Sequence, residues 1–151
     1  MKPVQNEITG SLGVNPSIEL KARLEQDRIL GRVGGALMAK ELNLEVSEKG
    51  VSGRVGGKNG FEVNLELKAG ELSGFVGTDA LNLRGVDQVT GRLGSAMNGV
   101  DFISNQNGDH LRGRLGGIKG QTFELELAGT PGWIGTLVAI IAFYAIEKHK
   151  N

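Results

Sequence analysis

The chain has 151 residues, with 17 Lys+Arg balanced by 17 Asp+Glu and no cysteine. That length suits one domain able to bury a real core, and zero net charge argues against a dedicated nucleic-acid binder. The lack of cysteine excludes disulfides, Cys-ligated metals and Cys nucleophiles.

The N-terminal run Met1-Lys2-Pro3-Val4-Gln5-Asn6-Glu7 lacks the apolar stretch of a secretory signal, which predicts a cytoplasmic location. Beyond it, glycine punctuates the chain, at 25 of 151 residues against a usual share of about 7%. The glycines fall in register. The unit Gly-Arg-Val/Leu-Gly-Gly/Ser occurs at Gly31-Arg32-Val33-Gly34-Gly35, Gly53-Arg54-Val55-Gly56-Gly57, Gly91-Arg92-Leu93-Gly94-Ser95 and Gly113-Arg114-Leu115-Gly116-Gly117. Weaker copies sit at Gly10-Ser11-Leu12-Gly13 and Gly74-Phe75-Val76-Gly77. Six units spaced by about 21 residues, with one shorter step, mark a repeat architecture.

Each repeat holds two strand patterns. In the first, Val51, Gly53 and Val55 share one face while Ser52, Arg54 and Gly56 share the other. In the second, Phe61, Val63, Leu65 and Leu67 face inward, and Glu62, Asn64, Glu66 and Lys68 face outward. Phe123, Leu125 and Leu127 against Glu124 and Glu126 repeat it. Strict alternation is the mark of a strand with one buried face. Ile18, Leu20, Ala22 and Leu24 are read as a strand by alignment with the other repeats. Asn59-Gly60, Asn98-Gly99 and Asn107-Gly108 are hairpin-turn dipeptides. The fourth repeat, Asp79 to Thr90, is short, which requires a tighter turn or a curtailed strand.

Twelve antiparallel strands in an open sheet would leave two long edges and a naked apolar face. Closure removes both. Twelve strands about 4.8 Å apart and tilted about 40° enclose a backbone diameter of about 24 Å, and so a lumen of about 14 Å. An α-helix with its side chains is about 10–12 Å across.

The chain ends with such a helix. Trp133 to Ile146 carries no charge on any face, so it belongs in a protein core or a membrane. Its span of about 21 Å is short for a bilayer core of about 30 Å, which favours burial. Thr130 is placed to act as N-cap with Pro131 as the first helical residue, and Lys148 and Lys150 suit the C-terminal end of the dipole. Gly135 and Ala139 form a small-xxx-small pair suited to close contact. The inward glycines Gly31, Gly53, Gly74, Gly91 and Gly113 are expected to make room for the helix. The predicted fold is thus all-β with one C-terminal hydrophobic helix, in a single domain. Its repeated hairpins over 4–129 close into a barrel around a buried helix over 130–147. A two-sided parallel β-solenoid with the same terminal helix is the alternative.

This arrangement of twelve strands and the helix Trp133–Ile146 resembles the tubby-like architecture shared by the LURP-one-related and phospholipid-scramblase families. The resemblance implies a lipid- or membrane-associated role.

The chemistry-bearing residues point to no reaction. Gly57-Lys58 echoes the end of a phosphate-binding loop, but Ser52 stands where the first glycine is needed and Asn59 where Ser or Thr is needed. His110 and His149 have no metal-ligand spacing, and no Gly-x-Ser-x-Gly elbow exists. Ser95 reads as a substituted repeat glycine. No catalytic residue, metal or cofactor is therefore expected. The best candidates are the recurrent Arg32, Arg54, Arg92 and Arg114. They face outward beside Glu62, Glu66, Glu124 and Glu126, where cross-strand pairing is the simpler reading. The sharper reading is a basic band for anionic lipid headgroups. The expected function is a non-enzymatic lipid- or membrane-associated binding module, peripheral to a membrane surface. A self-associating structural repeat protein and a toxin that inserts its C-terminal helix are the alternatives.

Overall fold

In a computed structural model the described residues are 7–13, 18–34, 40–57, 60–94, 99–116 and 120–148, with residues 147 and 148 described by their backbone alone. Gly35, Lys58, Asn59, Ser95, Asn98, Gly117, His149 and Lys150 lie outside them.

Twelve strands form in chain order: β1 (Glu7–Leu12), β2 (Ile18–Glu25), β3 (Arg28–Val33), β4 (Lys40–Ser47), β5 (Gly50–Val55) and β6 (Phe61–Lys68) are followed by β7 (Glu71–Val76), β8 (Asp79–Arg84), β9 (Gln88–Leu93), β10 (Val100–Asn107), β11 (His110–Leu115) and β12 (Gln121–Glu126). Each pairs antiparallel with its neighbours, and β1 returns to β12 through Leu12↔Phe123 and Thr9↔Glu126, closing the barrel. The antiparallel closure excludes the solenoid. The alternation holds as read: Phe61, Val63 and Leu65 are buried, while Glu62, Asn64 and Glu66 are exposed. Leu67 departs from it, at the rim and 43% exposed.

At one mouth, called the lower mouth here, two-residue turns join β2–β3, β4–β5, β6–β7 and β10–β11, set by Glu25↔Arg28, Ser47↔Gly50, Lys68↔Glu71 and Asn107↔His110. The first turn residue is left-handed in three of them, at Gln26, Ala69 and Gly108. Primed hairpin turns need that conformation, which costs a non-glycine residue roughly 1–2 kcal/mol. Of the expected Asn-Gly turns, Asn107-Gly108 is shifted by one residue, because the ladder extends to Asn107 and the turn is Gly108-Asp109.

The short fourth repeat is short twice. Its upper turn, between Val76 and Asp79, has two residues, and β8 has six residues where β2, β4, β6 and β10 have eight.

The helix α1 (Gly132–Phe143) runs up the lumen and continues as a π-helical turn over Tyr144–Lys148. Leu137, Val138, Ala139, Ile140, Ile141 and Ala142 are all fully buried. Burying each of the large ones is worth about 1.5–3 kcal/mol, and among the described residues no other helix fills the lumen. The N-terminus differs from the expected cap. Pro131 is the N-cap, with φ −59 and ψ 143, and its carbonyl accepts from Ile134 N at 3.1 Å. An extended proline supplies a first acceptor without entering the helix, so Thr130 falls outside capping reach and its buried Oγ1 has no hydrogen-bond partner.

Two polar contacts fix the helix. The Thr136 hydroxyl donates to Gly132 O at 3.0 Å, so the buried Ser104 on β10 donates to Thr136 Oγ1 at 2.7 Å. At the upper mouth Thr78 N donates to Tyr144 Oη at 3.0 Å, and the Tyr144 ring meets Phe61 edge-on at 4.7 Å. The abbreviated turn at Gly77-Thr78 is where Tyr144 docks.

The inward glycines serve a purpose other than the expected one. A Cβ on Gly31 would meet Lys21 O and lie 2.5 Å from Ala22 Cα, and one on Gly53 would meet Asn43 O and lie 2.7 Å from Leu44 Cα. At Gly113 it would strike the Phe123 ring, with Cε1 at 2.7 Å. These glycines let neighbouring strands, or a cross-strand aromatic, come close. The close approach between helix and wall is made from the helix side, where Gly135 faces Leu127 and Leu111.

Candidate functional site

The four recurrent arginines lie on β3, β5, β9 and β11, each one residue before the last inward side chain of its strand. The same position is held by Ser11 on β1 and Phe75 on β7. Because the strands follow one another around a closed ring, Arg32 and Arg92 sit six strands apart on opposite walls, as do Arg54 and Arg114. Across a barrel about 24 Å wide, no single headgroup meets all four. They form a ring near the upper mouth and not one patch.

Their neighbours vary. Arg54 donates to Gly57 O at 2.8 Å and reaches Glu62 at 3.3 Å, and Arg92 reaches Asp101 at 2.7 Å. Arg32 is registered between Lys21 and Glu41, and Arg114 between Ile103 and Thr122. Glu124 pairs instead with Arg112, which donates to it at 2.8 Å. The register of β11 against β12 places Arg112 opposite Glu124 and His110 opposite Glu126. Exposed pairs of this kind are worth about 0–1 kcal/mol each. His110 belongs to the same outer wall, with Nδ1 2.8 Å from Glu126 Oε1. Among the described residues no His, Cys, Asp and Glu cluster is arranged to hold a metal.

The lower mouth holds a feature that the sequence reading does not include. A cleft of about 230 Å³ opens there, walled by Leu67, Leu72, Leu83, Val86 and Trp133, with Ser47 as its polar side chain. Leu67 is 43% and Val86 65% exposed, so two large apolar side chains stand at its edge in water. Val86 is held there by the three-residue turn between β8 and β9, and Trp133 by the start of α1, where Gly132 nears Val86 O. The contributing residues come from four separate connections around the ring. The one local signal is Val86, a large apolar residue in a turn. Phe75 and Ile103 are also exposed, but on the outer wall, three strands apart.

No helix among the described residues is long and apolar enough to cross a membrane. Comparison of the chain with protein-family models, curated proteins and solved structures finds no match.

Proposed function

We propose that the protein is a non-enzymatic binding module for lipid-like molecules, which receives the apolar part of its ligand in the lower-mouth cleft against Trp133. The observation that carries this reading is the cleft itself: a concave, almost wholly apolar surface kept open beside two exposed aliphatic side chains. Leaving such a surface in water is unfavourable by about 25 cal/mol per Å² of apolar area, and covering it with a ligand recovers that term. Size is sufficient, since an apolar cavity of about 150 Å³ is enough to bind benzene. Sites for small molecules are commonly concave and apolar with few polar groups. The four arginines around the upper ring are not part of this site.

The chain has one tryptophan, and it lines the cleft, so its fluorescence reports occupancy. Titration with octanol is expected to give a saturable blue shift of Trp133 emission and reduced iodide quenching. The Leu67→Asp variant, altered at an exposed rim position, is expected to keep its far-UV spectrum and lose at least tenfold in affinity, the loss of about 1.4 kcal/mol. A response that does not saturate, or one that Leu67→Asp leaves intact, would contradict the reading.

A further inference from the structure

Resting on that reading, we propose that the ligand is a single-chain amphiphile with an anionic oxygen headgroup, received just outside the cleft by Lys68 and Arg84. Next to the apolar cleft lies a second depression of about 400 Å³, lined by Lys68, Ala69, Gly70, Glu71, Arg84 and Gly85. The two hollows share Gly70 and Gly85, so the lip between them carries no side chain. A Cβ on Gly70 would find nothing within 4 Å, which leaves open space over the lip. A chain lying along Leu67, Val86 and Trp133 can therefore pass over Gly70 and present its head to the outer depression. One hollow is apolar and the other is charged, and they adjoin. That juxtaposition is the complement of an amphiphile.

The sign of the head follows from which charges are most accessible. Lys68, Glu71 and Arg84 lie in one cross-strand row on β6, β7 and β8, through Lys68↔Glu71 and Glu71↔Arg84. Lys68 Nζ is 3.4 Å from Glu66 Oε1, and Arg84 Nη2 is 3.1 Å from Glu71 Oε2. The cationic side chains are the more exposed partners, at 83% for Lys68 and 71% for Arg84, against 66% for Glu66 and 36% for Glu71. A lysine has three donors and an arginine five, so each single contact leaves donors turned to solvent. Exposed ion pairs are weak enough for a competing anion to share or displace them. An arginine fork also matches the geometry of a phosphate or carboxylate. A cationic head would instead have to reach Glu71 beneath Arg84.

The test compares octyl phosphate, octanoate, octanol and octyltrimethylammonium, each below its micellar concentration, by Trp133 emission and calorimetry. At least one of the anions is expected to bind about tenfold more tightly than octanol, the scale of one good charge-assisted contact, and the better of the two identifies the head as phosphate or carboxylate. Octyltrimethylammonium is expected to bind no better than octanol. In the double variant Lys68→Gln, Arg84→Gln, both positions being exposed, the anionic advantage should vanish while octanol binding stays unchanged. Equal affinity for all heads, a preference for the cation, or an anionic advantage that survives the double variant would overturn the headgroup assignment and leave the cleft standing. If octanol does not bind either, the cleft reading itself fails and the assignment falls with it.

Discussion

Replacing Ile140 by aspartate is expected to leave the chain unfolded at room temperature. Ile140 is fully buried in the middle of α1, surrounded by a barrel wall of Leu, Val and Phe side chains. Two losses add. Removing the aliphatic side chain from a packed core costs about 2–5 kcal/mol. Burying a carboxylate without a partner costs several kcal/mol more. Total stabilities of domains lie at about 5–15 kcal/mol, so the sum consumes most or all of what is available. Far-UV circular dichroism and limited proteolysis would show this as loss of the β spectrum and rapid digestion. Asn64→Asp, on the exposed outer wall, serves as the matched control and should shift stability by no more than about 0.5 kcal/mol. An Ile140→Asp protein that unfolds cooperatively with near-parental stability would mean that the helix is not the core of the barrel.

Gly31→Ala is expected to destabilise by about 3 kcal/mol, the upper part of the range for overpacking a well-packed site. The added methyl would collide with the backbone of β2, at Lys21 O and Ala22 Cα, and no side-chain rotation relieves that. Strand β2 cannot move aside freely, because β1 pins its other edge and the ring is closed. Gly70→Ala separates close approach from conformational freedom as causes. Gly70 is left-handed, at φ +79, with nothing near a new Cβ, so alanine there should cost about 1–2 kcal/mol through φ alone. Chemical denaturation of the two variants measures the order. A loss at Gly31 no larger than at Gly70 would mean that β2 accommodates the added methyl and that the close strand approach does not require glycine there.

Much of this architecture is written in period-2 alternation. Val51 and Val55, or Phe61, Val63 and Leu65, reveal their buried faces because a strand has no other way to hide every second residue. Closure follows from the edges that twelve strands would otherwise expose, and the helix in the lumen follows from matching diameters. Four features were not legible. The turns at Gln26-Asp27 and Ala69-Gly70 carry no Asn-Gly or Asp-Gly signal, because the ladder on either side holds Gln26 and Ala69 left-handed. The pairing of Glu124 with Arg112 depends on a register two residues away from the one that would set Glu124 opposite Arg114; Thr122 takes that place, where β6 has Glu62. Pro131 as N-cap reflects an extended entry into the lumen, whereas the sequence pattern favours proline one position later. The lower-mouth cleft is assembled from Ser47, Leu67, Val86 and Trp133, which meet only once the ring is closed. The four arginines were conspicuous because they repeat, and repetition around a ring disperses them.

The most direct test of a barrel built around its own C-terminal helix uses the lack of native cysteine. A single thiol introduced by Val138→Cys would sit at a fully buried position of α1, and one introduced by Ser73→Cys on the exposed outer wall. Both proteins would be treated with a thiol-reactive reagent, with and without denaturant. The Cys at 73 should react at once in either condition, and the Cys at 138 only as denaturant unfolds the barrel. If the Cys at 138 reacts without denaturant as fast as the one at 73, in a protein that keeps its β spectrum, the helix is not inside the barrel.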